Sequence, residues 1–299
     1  MEKIKPQHSK SLEKRFEDFL DSRVEARNID EMNIPPEFQH MKKADYLLNG
    51  NIVVEIKSLK DDPSYKIEER LAPHREREEF PVFYWDAPIQ EVLKNLPDGD
   101  KINEKIFFSI TKSLQHCFER SDDQISDTKT IIDENNASGV VVLLNESIEI
   151  LEPKTIAYIA RYMMNKRNKD GSLRYQNIHY AYLVSEAHFY NVHDELISMP
   201  IILIDGPLAD QHPDAAERFE QYNYEWAAFN NVPLLKYSGE PQKLLADAFH
   251  AFGNEEKGDL NEMQRHELWR KQYRDYPYLK ELSEADFIKY GEKVIEKGN

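Results

Sequence analysis

The stretch Ala44-Asp45-Tyr46-Leu47-Leu48-Asn49-Gly50-Asn51-Ile52-Val53-Val54-Glu55-Ile56-Lys57 decides how this chain is read. Two apolar, β-prone runs flank an Asn-Gly-Asn turn, a strong local hairpin signal. Three charged residues interrupt the apolar runs: Asp45, Glu55 and Lys57. A charge inside a strand is costly unless it is paired, metal-bound or solvated in a cleft. A two-residue Asn49-Gly50 turn would oppose Asp45 to Val54 and send Asp45 and Glu55 to opposite faces. A three-residue Asn49-Gly50-Asn51 loop opposes Leu48 to Ile52 and Asp45 to Glu55. It puts Asp45, Leu47, Val53, Glu55 and Lys57 on one face and Tyr46, Leu48, Ile52, Val54 and Ile56 on the other. The second face is then wholly apolar, so the three-residue loop is expected, with Gly50 or Asn51 taking the positive φ.

These residues resemble the PD-(D/E)XK nuclease superfamily, in which an acid at a strand start is followed by acid-any-lysine on the neighbouring strand. Here Asp45 supplies the first acid and Glu55-Ile56-Lys57 the second motif, with Ala44 standing where the family name has proline. The resemblance implies a restriction-endonuclease-like fold and hydrolysis of phosphodiester bonds in DNA, with RNA as the other candidate, as in bacterial defence, mobile-element or repair systems. It also implies Mg²⁺ (or Mn²⁺) as cofactor, with Asp45, Glu55 and the Ile56 carbonyl as metal ligands. Two carboxylates facing each other across a ribbon suit a hard divalent cation that keeps some of its waters. Lys57, on the same face, can orient a water or offset developing negative charge. The competing reading is a solvated ion pair of Glu55 with Lys57 or Lys43.

Two further contributions follow from the resemblance. A helix before the hairpin often supplies another acid; Glu13 and Glu17 lie one turn apart on the first predicted helix, and Glu13 is the candidate metal ligand. Polar residues on the helix after the catalytic strands can reach the site. Gln124 is the candidate there, while Lys129 is expected to be an ordinary exposed helix residue.

The rest of the chain is consistent with one α/β domain. Ser11 to Val24 reads as a helix with Leu12, Phe16, Phe19 and Leu20 as its apolar stripe and Ser11 as its cap. Residues 28–43 read as an irregular connection. Residues 61–100 are charged and proline-rich, an insertion of the kind that forms lids or substrate-contacting loops, and carry His74, Tyr84 and Trp85. A long helix is predicted over 103–133, with a break near Ser121-Asp122-Asp123. Gly139 to Asn145 is a continuous apolar run, as in a strand buried on both faces. Pro153 opens a helix to about Lys166, and strands are predicted at Ile178–Val184 and 200–205. That order implies a right-handed crossover and a mixed central sheet flanked by helices on both sides. Residues 214–235 hold a helical pattern with Phe219, Tyr222, Trp226 and Phe229, then an edge strand at 232–235. Three helices at about 242–252, 259–274 and 283–296 would form a C-terminal appendage. The expected division is a nuclease-like domain over 1–237 and the appendage over 238–299, the latter a possible surface for a protein partner or a homodimer.

Composition sets limits. The chain has 299 residues, 39 Lys and Arg against 55 Asp and Glu, a net charge of −16 and one cysteine, Cys117. The lone cysteine excludes an intramolecular disulfide and a cysteine-rich zinc site, and favours a reducing, cytoplasmic setting. No apolar run approaches a membrane span, so no membrane partner is expected. The negative total runs against a nucleic-acid partner, but the charge is uneven. Residues 161–174 hold Arg161, Lys166, Arg167, Lys169 and Arg174 against Asp170 alone. No P-loop, dinucleotide fingerprint or His-Glu-x-x-His motif occurs. The alternative to an enzyme is a catalytically silent, nuclease-like binding or assembly subunit.

Overall fold

The computed structural model describes residues 10–81, 89–188, 190–192, 196–198, 200–232 and 234. Two compact units are distinguished: one from residues up to Asp61 together with Ser113–Lys236, the other including Asp62–Lys112.

The first unit is a six-stranded mixed sheet between helices. Its strands are β1 (Ala26–Asn28), β2 (Tyr46–Leu48), β3 (Ile52–Leu59), β4 (Ser138–Asn145), β5 (Tyr180–Ser185) and, after two short strands β6 (Tyr190–Val192) and β7 (Leu196–Ser198), β8 (Ile201–Asp205). The spatial order is β1-β2-β3-β4-β5-β8, and β6 and β7 form a separate two-stranded sheet. β3, β4 and β5 run parallel, while β1, β2 and β8 join antiparallel. β4 is buried along its whole length, as its uninterrupted Val-Val-Val-Leu-Leu run predicts.

The hairpin adopts the three-residue loop: Leu48 faces Ile52 and Tyr46 faces Val54. Asn49 and Gly50 take the positive φ, at 52° and 79°. Asn51, the other expected candidate, instead donates its N–H to the Leu48 carbonyl at 3.1 Å. The apolar face of the hairpin joins Val140, Val142, Leu144, Tyr180 and Tyr182 in one core. Two helices cover it, α1 (Leu12–Asp21) and α7 (Pro213–Phe229). Ser11 caps α1, its hydroxyl accepting from the Lys14 N–H at 3.2 Å. The helices meet through an aromatic cluster in which Trp226 lies 5.3 Å from Phe16 and 5.4 Å from Phe19, ring centre to ring centre.

The other face is covered by α5 (Lys112–Ile131) and α6 (Pro153–Met164). α6 contacts β5 and β8 and takes no part in the aromatic core. α5 lies close to β4, where a Cβ on Gly139 would stand 2.8 Å from the Ile125 side chain.

Several sequence expectations need correction. The helix predicted over 103–133 is two helices, α4 (Gly99–Ile110) and α5, and the break falls at Thr111 rather than at 121–123. The Thr111 hydroxyl turns back to the Phe107 carbonyl at 2.7 Å, competing with continuation of the helix. Val232 does not begin an edge strand. Its N–H bonds the Ala227 carbonyl at 2.9 Å and that of Asn231, at φ 55°, bonds Ala228, closing α7 in a Schellman motif. The connection over 28–43 is preceded by an unpredicted edge strand, β1.

In the second unit, the expected loop over 61–100 contains α2 (Tyr65–Leu71) and α3 (Ile89–Leu93) and runs on into α4. α2 and α4 pack together, burying Ile67, Leu71, Ile102 and Ile106. Tyr84, Trp85, His193 and the C-terminal helices expected from 242 onward lie outside the described residues.

Candidate active site

β3 outruns β2. Beyond Val54 its edge meets no further residue of β2, and Asp45, just before β2, fills the gap. The Asp45 N–H donates to the Val54 carbonyl at 3.0 Å, and Asp45 Oδ2 accepts the Ile56 N–H at 2.6 Å. N–H and C=O of one residue in an extended strand point the same way. The Ile56 carbonyl therefore faces this open edge beside Asp45.

Alternation turns Glu55 and Lys57 to the face that carries Asp45. Glu55 is almost wholly enclosed, with 2 % of its surface exposed. Its Oε1 accepts from Lys57 Nζ, and its Oε2 receives no donor among the described residues. Asp45 and Glu55 occupy opposed positions across the hairpin, carboxyl near carboxyl. Burial, then the Asp45 charge, pushes Glu55 up to about 8, against the opposing pull of Lys57. Burial also raises Asp45, against the Ile56 N–H and Lys57.

α5 supplies the fourth member. Gln124 Oε1 accepts from Lys57 Nζ at 2.8 Å, while Gln124 Nε2 donates to the Lys43 carbonyl at 2.8 Å. Two more bonds tie the helix to the run that leads into Asp45. The Lys42 N–H reaches Asp127 Oδ2 at 2.9 Å and the Ala44 N–H reaches Thr128 Oγ1 at 2.8 Å. The second bond gives alanine at 44 a physical meaning, because a proline there has no N–H to donate.

The structure thus brings Asp45, Glu55, Lys57 and Gln124 together, with the Ile56 backbone between them. It does not bring Glu13. α1 packs on the opposite, apolar face of the sheet, and Glu13 pairs there with Lys60 at 2.7 Å. Glu17 is on the same helix and pairs with Lys14 at 3.2 Å. The surface-pair alternative, in which Glu55 is solvated, does not describe a carboxyl this enclosed. Lys43 pairs with Asp30 at 2.7 Å.

Lys129 also departs from expectation. It is 5 % exposed, and burial pushes its amine down to about 8 against the charge of Asp122. It follows Ile125 by one turn, on the stripe that faces the sheet. Thr128 borders the site through the Ala44 N–H, and Cys117 lies on the same side of α5. The Cys117 thiol feels the charges of Lys57 and Glu55, and its burial pushes it up. Their spacing from Gln124, seven residues before and four after, is the helical signal that places all three on one face. A separate polar cleft of about 370 Å³, lined by Asn51, Asn136, Ser138, Gln211, His212 and Asp214, contains none of these residues.

The donor set suits a hard cation. Two neighbouring carboxyls, one with an oxygen that has no donor among the described residues, and a strand carbonyl at an open edge are all oxygen ligands. No group of three or more His, Cys, Asp or Glu side chains able to hold a metal occurs among the described residues. Mg²⁺ is commonly bound through only one or two carboxylates. No protein-family model, curated protein or solved structure matches the chain. No described helix is long and apolar enough to cross a membrane.

Proposed function

We propose that the protein is a metal-dependent nuclease of the PD-(D/E)XK type, hydrolysing phosphodiester bonds in DNA or, as second choice, RNA. The observation that carries this reading is the convergence of Asp45, Lys57 and Gln124 on a buried Glu55 with one oxygen unoccupied by any donor. Burying two like charges side by side is unfavourable unless a cation or a proton compensates.

Asp45, Glu55 and the Ile56 carbonyl would hold Mg²⁺ or Mn²⁺. Once bound, the ion supplies charge stabilisation at a phosphate oxygen and a more acidic water. A cation held there would take the place of the proton that burial favours on Glu55. Lys57, held by Gln124, would present its ammonium where it can orient the attacking water or offset charge on the reacting phosphate. Gln124 positions Lys57 and, through Lys43, fixes the entry to Asp45.

The test is cleavage of linear and circular DNA, single-stranded DNA and RNA with Mg²⁺ or Mn²⁺. Wild type is expected to cleave, and Asp45→Ala and Lys57→Ala to lose about 100-fold or more of that activity. Undiminished cleavage by both variants would remove the site from the chemistry. The second reading, a catalytically silent binding or assembly subunit, is favoured by the net charge of −16. It takes the lead if the wild type is inactive on every substrate.

A further inference from the structure

Residues 153–174 hold six Lys and Arg against one acid, in a chain whose total is 39 against 55. The structure gathers most of them on one surface. α6 buries Ile156, Ile159, Ala160 and Met163 and presents Lys154, Tyr158, Arg161 and Tyr162 outward, spaced at helical intervals along its exposed side. Tyr158 and Tyr162, one turn apart on the same side of the helix, are 59 % and 40 % exposed.

The chain after α6 extends this surface in a closed loop. Arg167 and Leu173 form a β-bridge, and the Asn168 N–H bonds the Ser172 carbonyl at 2.9 Å. The turn needs Gly171, at φ 85°. The single acid, Asp170, is engaged by Ser172, accepting from its hydroxyl at 2.6 Å and its N–H at 3.0 Å. Arg167, Lys169 and Arg174 are exposed, although Arg167 also donates to the Gly171 carbonyl at 2.7 Å and Arg174 stands 3.8 Å from Glu119. Lys166 lies over the Tyr162 ring, 5.9 Å from its centre, linking loop to helix. The loop is braced on α5, the helix that carries Gln124: the Tyr175 hydroxyl donates to Glu119 at 3.2 Å. α6 and α5 cover the same side of the sheet, the side of Asp45 and Glu55.

We infer that the outer side of α6 and the 166–174 loop form a binding surface for a single strand of nucleic acid, phosphates lying along Arg161, Arg167, Lys169 and Arg174 and bases stacking on Tyr158 and Tyr162. Cations alone would fit any polyanion. Exposed phenol rings set among them fit a strand whose bases are unstacked and free to lie on a ring. As a statement about a nuclease substrate, the inference rests on the reading given above.

The test uses the full chain in chelator, with fluorescence anisotropy of a labelled single-stranded oligothymidylate and a matched duplex. Arg161→Glu with Lys169→Glu is expected to weaken single-strand binding about tenfold or more. It should also flatten the salt dependence by about 1.4 in log–log slope, 0.7 for each lost phosphate contact. Tyr158→Ala with Tyr162→Ala is expected to weaken it about tenfold with the slope unchanged. Reversal of exposed Lys10 and Lys14, on the far side of the sheet, should change little. Photo-crosslinking of a bromouracil-substituted strand to the wild type reads the same contact without mutation, with adducts expected within residues 153–174.

Wild-type affinity in both α6 and loop variants, equal losses in the Lys10 and Lys14 control, or tighter binding of duplex would each overturn the inference. The two readings fail separately. Strand binding at this surface by a protein that never cleaves removes the nuclease reading alone. Normal cleavage by both variants at every substrate concentration removes the surface alone.

Discussion

Two buried charge clusters in the sheet unit are built on opposite plans. Arg15, on α1, is nearly enclosed, and its guanidinium is matched on all sides. It donates to Glu186 at 2.5 Å, to Asn230 at 2.9 Å and to the Lys10 carbonyl at 3.4 Å, over the Trp226 ring at 5.8 Å. Across the sheet, Glu55 is buried still more completely but has a second carboxyl against it and an oxygen that no donor reaches. Arg15 joins one cation to one anion and gives each of its three nitrogens an acceptor, as a structural pair must if it is not to destabilise the fold. Beside Asp45 and Glu55 one lysine faces two carboxyls, so the second carboxyl needs a proton or another cation to balance it. A buried carboxyl that only a proton or a cation can balance is the plan of a candidate binding site, where Arg15 follows the plan of a brace.

Breaking each cluster should therefore act in opposite directions. Arg15→Ala removes one partner of a satisfied pair and is expected to destabilise the protein most, by about 3–5 kcal/mol. Chemical denaturation would read this, and a loss below about 1 kcal/mol would show the pair to be dispensable. Glu55→Gln should instead stabilise the metal-free protein, by about 1–3 kcal/mol at pH 8. The sign follows from linkage. Glu55 titrates at about 8 when folded against 4.5 ordinarily, so between those values the native state holds a proton that the unfolded state has released. Stability from this group is complete below the unfolded value and is lost as pH rises towards 8. Melting curves of both proteins at several pH values should diverge upward with pH and converge near pH 4. A constant difference would mean that Glu55 is not held protonated. The smallest effect is expected of Ala44→Pro, which removes the N–H bonded to Thr128 and costs about 1–2 kcal/mol. If α5 positions the site through that bond, cleavage falls further than the loss of stability explains; equal activity in both proteins would show Gln124 to be placed by other contacts.

How far the sequence carries can be judged from particular residues. The hairpin was legible because its apolar positions fit only one register. The three-residue loop follows from keeping Tyr46, Leu48, Ile52, Val54 and Ile56 on one face, and that register puts Asp45 beside Glu55. β4 and the mixed sheet were legible for the same reason, as uninterrupted apolar runs separated by helical periodicity. Glu13 shows where such reasoning stops. Its helix was evident, but which face of the sheet the helix covers depends on where its stripe finds partners, and those are Phe219, Tyr222 and Trp226, some 200 residues away in the chain. Lys129 fails similarly: a lysine at a helix end reads as solvated, and only the packing of α5 on β4 shows it to be enclosed.

Local pattern thus determined the strands, their register and the pair of acids, because alternation and turn geometry act over a few residues. Tertiary structure decided which helix closes over the acids, that Gln124 holds Lys57, and that Glu55 is deprived of solvent. Desolvation and charge coupling depend on everything packed around a group, and no short stretch of sequence contains that information.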